Sequence, residues 1–513
     1  MARLSTRSKT HTLDLTRIKP SLLRSSVLSS EWLRNLFDGL PNVQSFLVHA
    51  LSDFDTGSLR VLRGFNLPAR CNPDQRPIYD LRLLTASTIR NAVSSSLECA
   101  LQCFPHLIYL DLSSTRAANN TSVLQQIGSI TKFPALEVLK LRNIGLGDAG
   151  LIKLATGLGI RVWSLDLRQN LLTDTAVLIL LKFCFLRPDF ASPPSSHKDQ
   201  MDYINGLGPE DNESSVLHRL AGSPKSGCLR RYWTGLTHLY ISDNTNITIR
   251  SLCPLIKAWR LIALDWGKLK SLPEYPLALQ DFAAARLLLD TLEAEMKAGA
   301  RLHYLRVDHL LVTREYAALD AGIHLQSTMD HWPGWSEDVT QGTLFCENKL
   351  PGLGLHTLVL TDLPSRSARG WLTKGLLAFL YKCASEERAN ADDPQVIDVA
   401  GYPATNLREL HLELRKTSET DPLNSDFASL TFQDALEHDF SFFRDRPSRG
   451  TSSRHPSATR KQVNPYEGDI VQALQKFRVH FPWKWSGKLV VVPTPQHTKR
   501  QDPIHDPDRA III

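Results

Sequence analysis

The sequence predicts an α/β solenoid in which short parallel strands line one side and helices the other, and three observations lead there. The pattern L-x-x-L-x-L recurs ten times along the chain. Its better-spaced copies lie 25 to 29 residues apart, the length of one strand plus one helix, which is what a parallel crossover connection requires. After the clearest copies, the apolar residues change from strand alternation to helical spacing.

The elements follow in order from those copies. Residues 1–9 are a basic N-terminal extension, and Leu13-Asp14-Leu15 opens the repeats, which run over residues 10–495. Val43/Phe46/Val48 and Ile78/Leu81/Leu83 are the next two matches. The clearest are Leu107/Leu110/Leu112, Leu136/Leu139/Leu141 and Val162/Leu165/Leu167, together with Leu236/Leu239/Ile241 further along. Gly147-Asp148-Ala149-Gly150-Leu151 starts a helix after the second of these. Thr173 or Asp174 is placed to cap a helix over 175–185 after the third, since its side-chain oxygen can accept a free first-turn amide.

The interval from Leu165 to Leu239 is 74 residues, and its excess falls in 187–230. There Pro188, Pro193, Pro194, Pro209 and Pro224 stand among Ser, Gly and acids, so this insertion is expected to be a disordered, removable loop. Leu236/Leu239/Ile241, Leu261/Leu264/Trp266, Leu302/Leu305/Val307, Leu355/Leu358/Leu360 and Leu407/Leu410/Leu412 continue the series. Their intervals grow to 41, 53 and 52 residues through long helices over 279–297 and 370–388. A basic Ser/Pro-rich loop at 444–461, an amphipathic helix over 470–481 and a strand at Lys488–Val492 complete the array, and 496–513 is expected to be a disordered tail.

Three residues beyond the second strand leucine stand Asn170, Asn244 and Thr115. With that position filled, the pattern resembles the leucine-rich repeat family. Ile144, Leu269, Leu310, Leu363 and Arg415 replace the polar residue elsewhere, so the chain reads as a degenerate member. The interval lengths are similar to the ribonuclease-inhibitor-like and cysteine-containing, F-box-type classes. The resemblance implies a horseshoe with strands on the concave face and helices outside, binding another protein through that face. An F-box would need about 40 residues of helical sequence ahead of the repeats, and about nine precede Thr10.

Residues between the core leucines would then point into the concave face. Tyr109, Asp111, Lys140, Arg142, Asp166, Arg168, His238, Tyr240, Tyr304 and Arg306 form the candidate partner-binding set, with Val138, Asp265, Asp308, Glu409, His411 and Glu413 beside them. Tyr and Arg carry a disproportionate share of binding energy at protein interfaces. Two aromatic clusters also stand out. His480-Phe481-Pro482-Trp483-Lys484-Trp485 is expected to cover the end of the array, while His331-Trp332-Pro333-Gly334-Trp335 fits cover or ligand equally.

Composition narrows the function classes. The net charge is +6, but the basic excess sits in residues 1–24 and 444–461 and leaves a mildly acidic body, so no dedicated nucleic-acid site is expected. No apolar run approaches the roughly 18 residues of a membrane span. The eight cysteines include no C-x-x-C pair. Cys99 and Cys103 with His106 could set two sulfurs beside an imidazole, yet zinc needs a fourth ligand, so reduced core cysteines in the cytosol or nucleus are expected, with no metal and no cofactor. G-x-S-x-G, H-E-x-x-H and G-x-x-x-x-G-K-[ST] are all missing from the sequence. The expected function is a non-catalytic recognition scaffold or substrate-receptor-like protein; the alternative is an activator of a small GTPase, which would use an exposed arginine.

Overall fold

The computed structural model describes residues 9–16, 31–50, 55–62, 77–185, 211, 213, 215–216, 234–244, 246–248, 251–256, 261–267, 302–310, 312–313, 355–367, 371–392, 407–415, 468–480, 485–492 and 511–512. Among the described residues, thirteen strands form one sheet. They are β1 (Thr12–Asp14), β2 (Ser45–His49), β3 (Leu83–Ser87), β4 (Tyr109–Asp111), β5 (Val138–Lys140), β6 (Ser164–Asp166), β7 (His238–Tyr240), β8 (Ala263–Gly267), β9 (Tyr304–Asp308), β10 (Thr357–Leu363), β11 (Glu409–Leu414), β12 (Lys488–Val492) and β13 (Ile511–Ile512). Neighbours in the sheet are neighbours in the chain, and every pairing from β1 to β12 is parallel; β13 adds antiparallel to β12. Between the strands lie α1 (Trp32–Gly39), α2 (Thr56–Leu62), α3 (Ser94–Leu101), α4 (Thr121–Gly128), α5 (Asp148–Leu158), α6 (Asp174–Phe183), α7 (Leu252–Ile256), α8 (Trp371–Asp392) and α9 (Ile470–His480). No described helix is long and apolar enough to cross a membrane.

The register stacks the leucines. Phe46, Leu84, Leu110, Leu139, Leu165, Leu239, Leu264, Leu305, Leu358, Leu410 and Leu489 occupy equivalent positions on successive strands. All belong to one buried cluster, which the helices complete with residues such as Leu97, Leu124, Leu154, Leu180, Leu255, Leu376 and Leu474. One sequence expectation is corrected here. The third copy is Leu81/Leu84/Ala86, all buried, whereas Ile78 is 64% exposed and Leu83 faces the other side of the sheet. The short Ala86 side chain hides the true copy from a leucine template, and Ile78 matches by accident. The interval to Leu110 is therefore 26 residues rather than 29.

Strands β2 to β7 leave the sheet through the same turn. φ is positive at Ser114, Asn143, Gln169 and Asp243 (54° to 60°), each four residues beyond its central leucine, and also at Ala50, Thr88 and Asp362. A left-handed conformation is unfavourable for residues with a Cβ. Here it aims an amide at the next turn: Ser114 N donates to Arg142 O at 2.7 Å, Asn143 N to Arg168 O at 2.9 Å and Gln169 N to Ser242 O at 3.0 Å.

One residue later sits the polar ladder. Asn170 Oδ1 accepts from the amides of Ile144, Gly145 and Leu146 at 3.0 to 3.1 Å, and its Nδ2 donates to Leu141 O and Leu167 O at 2.9 Å. Asn244 repeats the arrangement against Leu172 N, Leu167 O and Ile241 O. Thr115 Oγ1 donates to Ala86 O and accepts from Ile89 N. A second ladder joins the helix starts: Asp148 accepts from the amide and hydroxyl of Thr173, and Asp174 from those of Thr248. Thr173 also caps α6 by accepting from Thr175 N, as its place in the sequence predicts.

The helices α4 and α5 touch backbone to backbone. A Cβ on Gly157 would lie 2.8 Å from Gly128 O, and one on Gly128 would lie 2.8 Å from Leu154 O. The buried Arg161 guanidinium closes that contact, donating to Ile127 O, Gly128 O and Gly157 O. At the far end Trp485 is buried and its Nε1 donates to Leu407 O at 3.2 Å, in keeping with a cover for the last apolar layer. The expected helix over 279–297, the 331–335 aromatic cluster and the 444–461 loop lie outside the described residues.

Candidate functional site

The sheet face opposite the leucine core carries two rows of side chains, one on each side of the central residue. Every candidate predicted from the sequence lies on this face, in those rows or two residues further along. Their surroundings differ from an open, solvated surface. Tyr109, Asp166 and His238 are 1%, 2% and 0% exposed, and Asp111, Lys140, Arg142, Arg168, Tyr240, Tyr304 and Arg306 are half-buried. The expectation of solvent-facing side chains is corrected for the first three, because a second apolar layer forms here from Leu47, Leu83, Tyr109, Val138, Trp163, Ile262 and Val216. His238 packs edge-on against Trp163 with centroids 4.8 Å apart, and its Nδ1 lies 2.9 Å from Thr237 Oγ1.

Val216 belongs to the 187–230 insertion, expected from its composition to be a disordered loop. Its described residues behave otherwise. Glu213, Ser215 and Val216 are helical, and Val216 is 1% exposed. Asp211 accepts from Lys140 Nζ at 3.2 Å and, through a short bond, from Ser164 Oγ. Glu213 accepts from Thr85 Oγ1 at 2.9 Å. Asp211, Glu213 and Val216 thus lie across β3 to β6 on the face predicted to bind a partner. Sequence reasoning missed Asp211, Glu213 and Val216 because the surrounding Ser, Gly and Pro mask a short acidic and aliphatic run. The remainder of 187–230 lies outside the described residues.

The two carboxylates of this run are held differently. Burial pushes the Asp211 carboxyl up, but Lys140, His238 and the Ser164 hydroxyl outweigh burial and leave it below its usual value. Burial likewise pushes Glu213 up, the Thr85 hydroxyl offsets only part, and the Asp111 charge adds to the rise. Asp111 is itself raised by burial. Lys140 stands 5.5 Å from the Tyr109 ring centroid; burial works against its charge, and Asp211 with the neighbouring acids more than restores it.

Further along the sheet, a chain of ion pairs crosses from β6 to β11. Arg168 grips Asp166 through Nε and Nη2 at 3.0 and 2.7 Å, reaches Asp265 at 3.7 Å and lies 5.6 Å from the Tyr240 ring centroid. Arg306 binds Asp265 at 2.8 Å and holds Glu413 with two bonds of 3.0 and 2.7 Å. Ser242 Oγ donates to the second oxygen of Asp265. Arg142 Nε donates to Gln169 Oε1 at 3.1 Å, and His411 Nε2 lies 2.9 Å from Glu409. Such forked guanidinium pairs fix side-chain orientation, so this half of the face is preorganised.

Cys99, Cys103, Cys184 and Cys383 sit elsewhere. Cys103 is buried and its Sγ lies 3.8 Å from Cys99 O, while Cys184 is buried against Ala155 O and its thiol is pushed up to about 12 by burial. Among the described residues no group of three or more His, Cys, Asp or Glu side chains could hold a metal ion. No protein-family model matches the chain, and no curated protein matches it.

Proposed function

We propose that the chain is a degenerate leucine-rich repeat horseshoe, of the ribonuclease-inhibitor-like or F-box-type class, that acts without catalysis as a protein-recognition scaffold or substrate receptor in the cytosol or nucleus. Its partner is a protein, held on the concave strand face. The observation that carries this reading is the register: residues from Thr85 to Glu413 come onto one surface, spaced by about 4.8 Å per strand, with Tyr and Arg side chains already oriented. The asparagine ladder and the repeating left-handed turn support the repeat assignment.

The geometry decides which variant tests it. Reversing charge at Lys140 or Arg168 would set a carboxylate against Asp211, or against Asp166 and Asp265, and would perturb the fold. Arg142 and Tyr304 are half-buried, and neither lies in the leucine core. The full-length R142A/Y304A variant should keep its melting temperature within a few degrees and lose co-purification of the main partner; retention of every partner would overturn the proposal. Arg168 and Arg306 are each engaged by two carboxylates, so the small-GTPase alternative gains no support from them.

A further inference from the structure

The insertion residues define the chemistry of what this face accepts. Lys140 and Ser164 converge on one carboxylate, Thr85 Oγ1 presents a donor to a second, and between them Tyr109, Val138 and Trp163 belong to the apolar layer that includes Val216. Without Asp211, the ammonium of Lys140, with only 16% of its side chain exposed, would lose its closest carboxylate partner. The site is therefore complementary to an acidic, aliphatic helical turn.

The same observations say that the resident turn is an imperfect ligand. Its first carboxylate is favoured in place, while its second is disfavoured by burial and by Asp111. The chain ties it to the surface it covers, so it acts at an effective concentration on the order of millimolar, and modest intrinsic affinity suffices to keep it bound.

We infer that the face spanning β3 to β6 is a receptor for an acidic, aliphatic helical segment of a partner protein, and that Asp211, Glu213 and Val216 form an intramolecular occupant which that segment displaces. This rests on the proposed recognition function and names the class of ligand for its N-terminal half. A partner segment with the same carboxylate and aliphatic spacing, but no second carboxylate near Asp111, would outcompete the resident turn. Regulation follows from the competition: partners bind only when their affinity exceeds that of the tethered turn.

The test uses the full chain and a fluorescein-labelled synthetic peptide of this protein's own residues 207–220 as probe. D211A/V216S removes the Asp211 bonds and the Val216 packing, leaves only the Glu213 bond to Thr85, and alters no residue of the receptor face. That variant should bind the peptide about tenfold or more tighter than the unmodified chain, and adding K140A should abolish the gain. Equal binding by variant and unmodified chain, no binding by either, or failure of D211A/V216S to fold would each overturn the inference, the last because a turn required for folding is not displaceable. The unmodified chain supplies a second reading: saturating peptide should raise amide exchange at Ser215 and Val216, and unchanged exchange counts against displacement. If the peptide fails while R142A/Y304A still loses its partner, this inference falls alone. If the peptide binds while R142A/Y304A retains every partner, the receptor stands and the proposed function falls.

Discussion

Asn170 shows how much a single side chain organises here. Its amide serves three backbone donors of one turn and the carbonyls of Leu141 and Leu167, so N170A strands several buried polar groups at once. The expected loss is on the order of 3 kcal/mol, read from the denaturation midpoint. Glu213 should behave in the opposite sense. Its folded-state value lies above the ordinary 4.5, so the folded chain binds more protons than the unfolded one in that window, and stability falls as pH rises through it. E213Q should therefore melt higher than the unmodified chain at pH 8, with the gap closing below about pH 4; an unchanged gap would mean Glu213 is not engaged. Asp211 is depressed instead, so its contribution is present above its ordinary value and is lost as pH falls through the lowered one. The three polar ladder residues could be read from the sequence because their offset from the leucines is fixed. The reach of Arg168 to Asp265, and of Arg306 to Asp265 and Glu413, could not, since those acids meet them only through the register of separate strands.

At the level of elements, the strands were legible wherever a large apolar residue fills every core position, Val43, Phe46 and Val48 included, and one was misplaced where alanine fills it. β3 was placed three residues early, because Ala86 satisfies the packing without satisfying the pattern. Helix starts were legible from Thr173 and Gly147, whose chemistry is local. The close approach of α4 and α5 was not, because nothing in the sequence distinguishes a glycine needed for contact from one in open space. That distinction makes a prediction. G157A drives a methyl against the Gly128 carbonyl and should cost about 1–3 kcal/mol, whereas G39A, with open space around its Cβ position, should cost little. Thermal melts of the two variants check it. L139A, in the middle of the stacked core, should cost about 2–5 kcal/mol, and its neighbours on β4 and β6 should lose amide protection with it.

Across the whole molecule, composition and periodicity sufficed for the α/β class and the chain-ordered parallel sheet, because both follow from local repetition. They missed the return of the insertion onto the sheet, since a contact between Glu213 and Thr85, 128 residues apart, leaves no periodic trace. That contact also has a mechanical meaning. Parallel strands linked only to their nearest neighbours behave as a ribbon that can splay, each junction yielding separately. Asp211 and Glu213 fasten β3, β5 and β6 together from the side away from the helices, as a stay cable fastens a mast. Pulled from its ends, the intact chain should resist the first extension across this region, and D211A/V216S should yield at lower force. Displacing the stay would change the compliance of the ribbon, so occupancy at one stretch of the surface can be felt as stiffness at another.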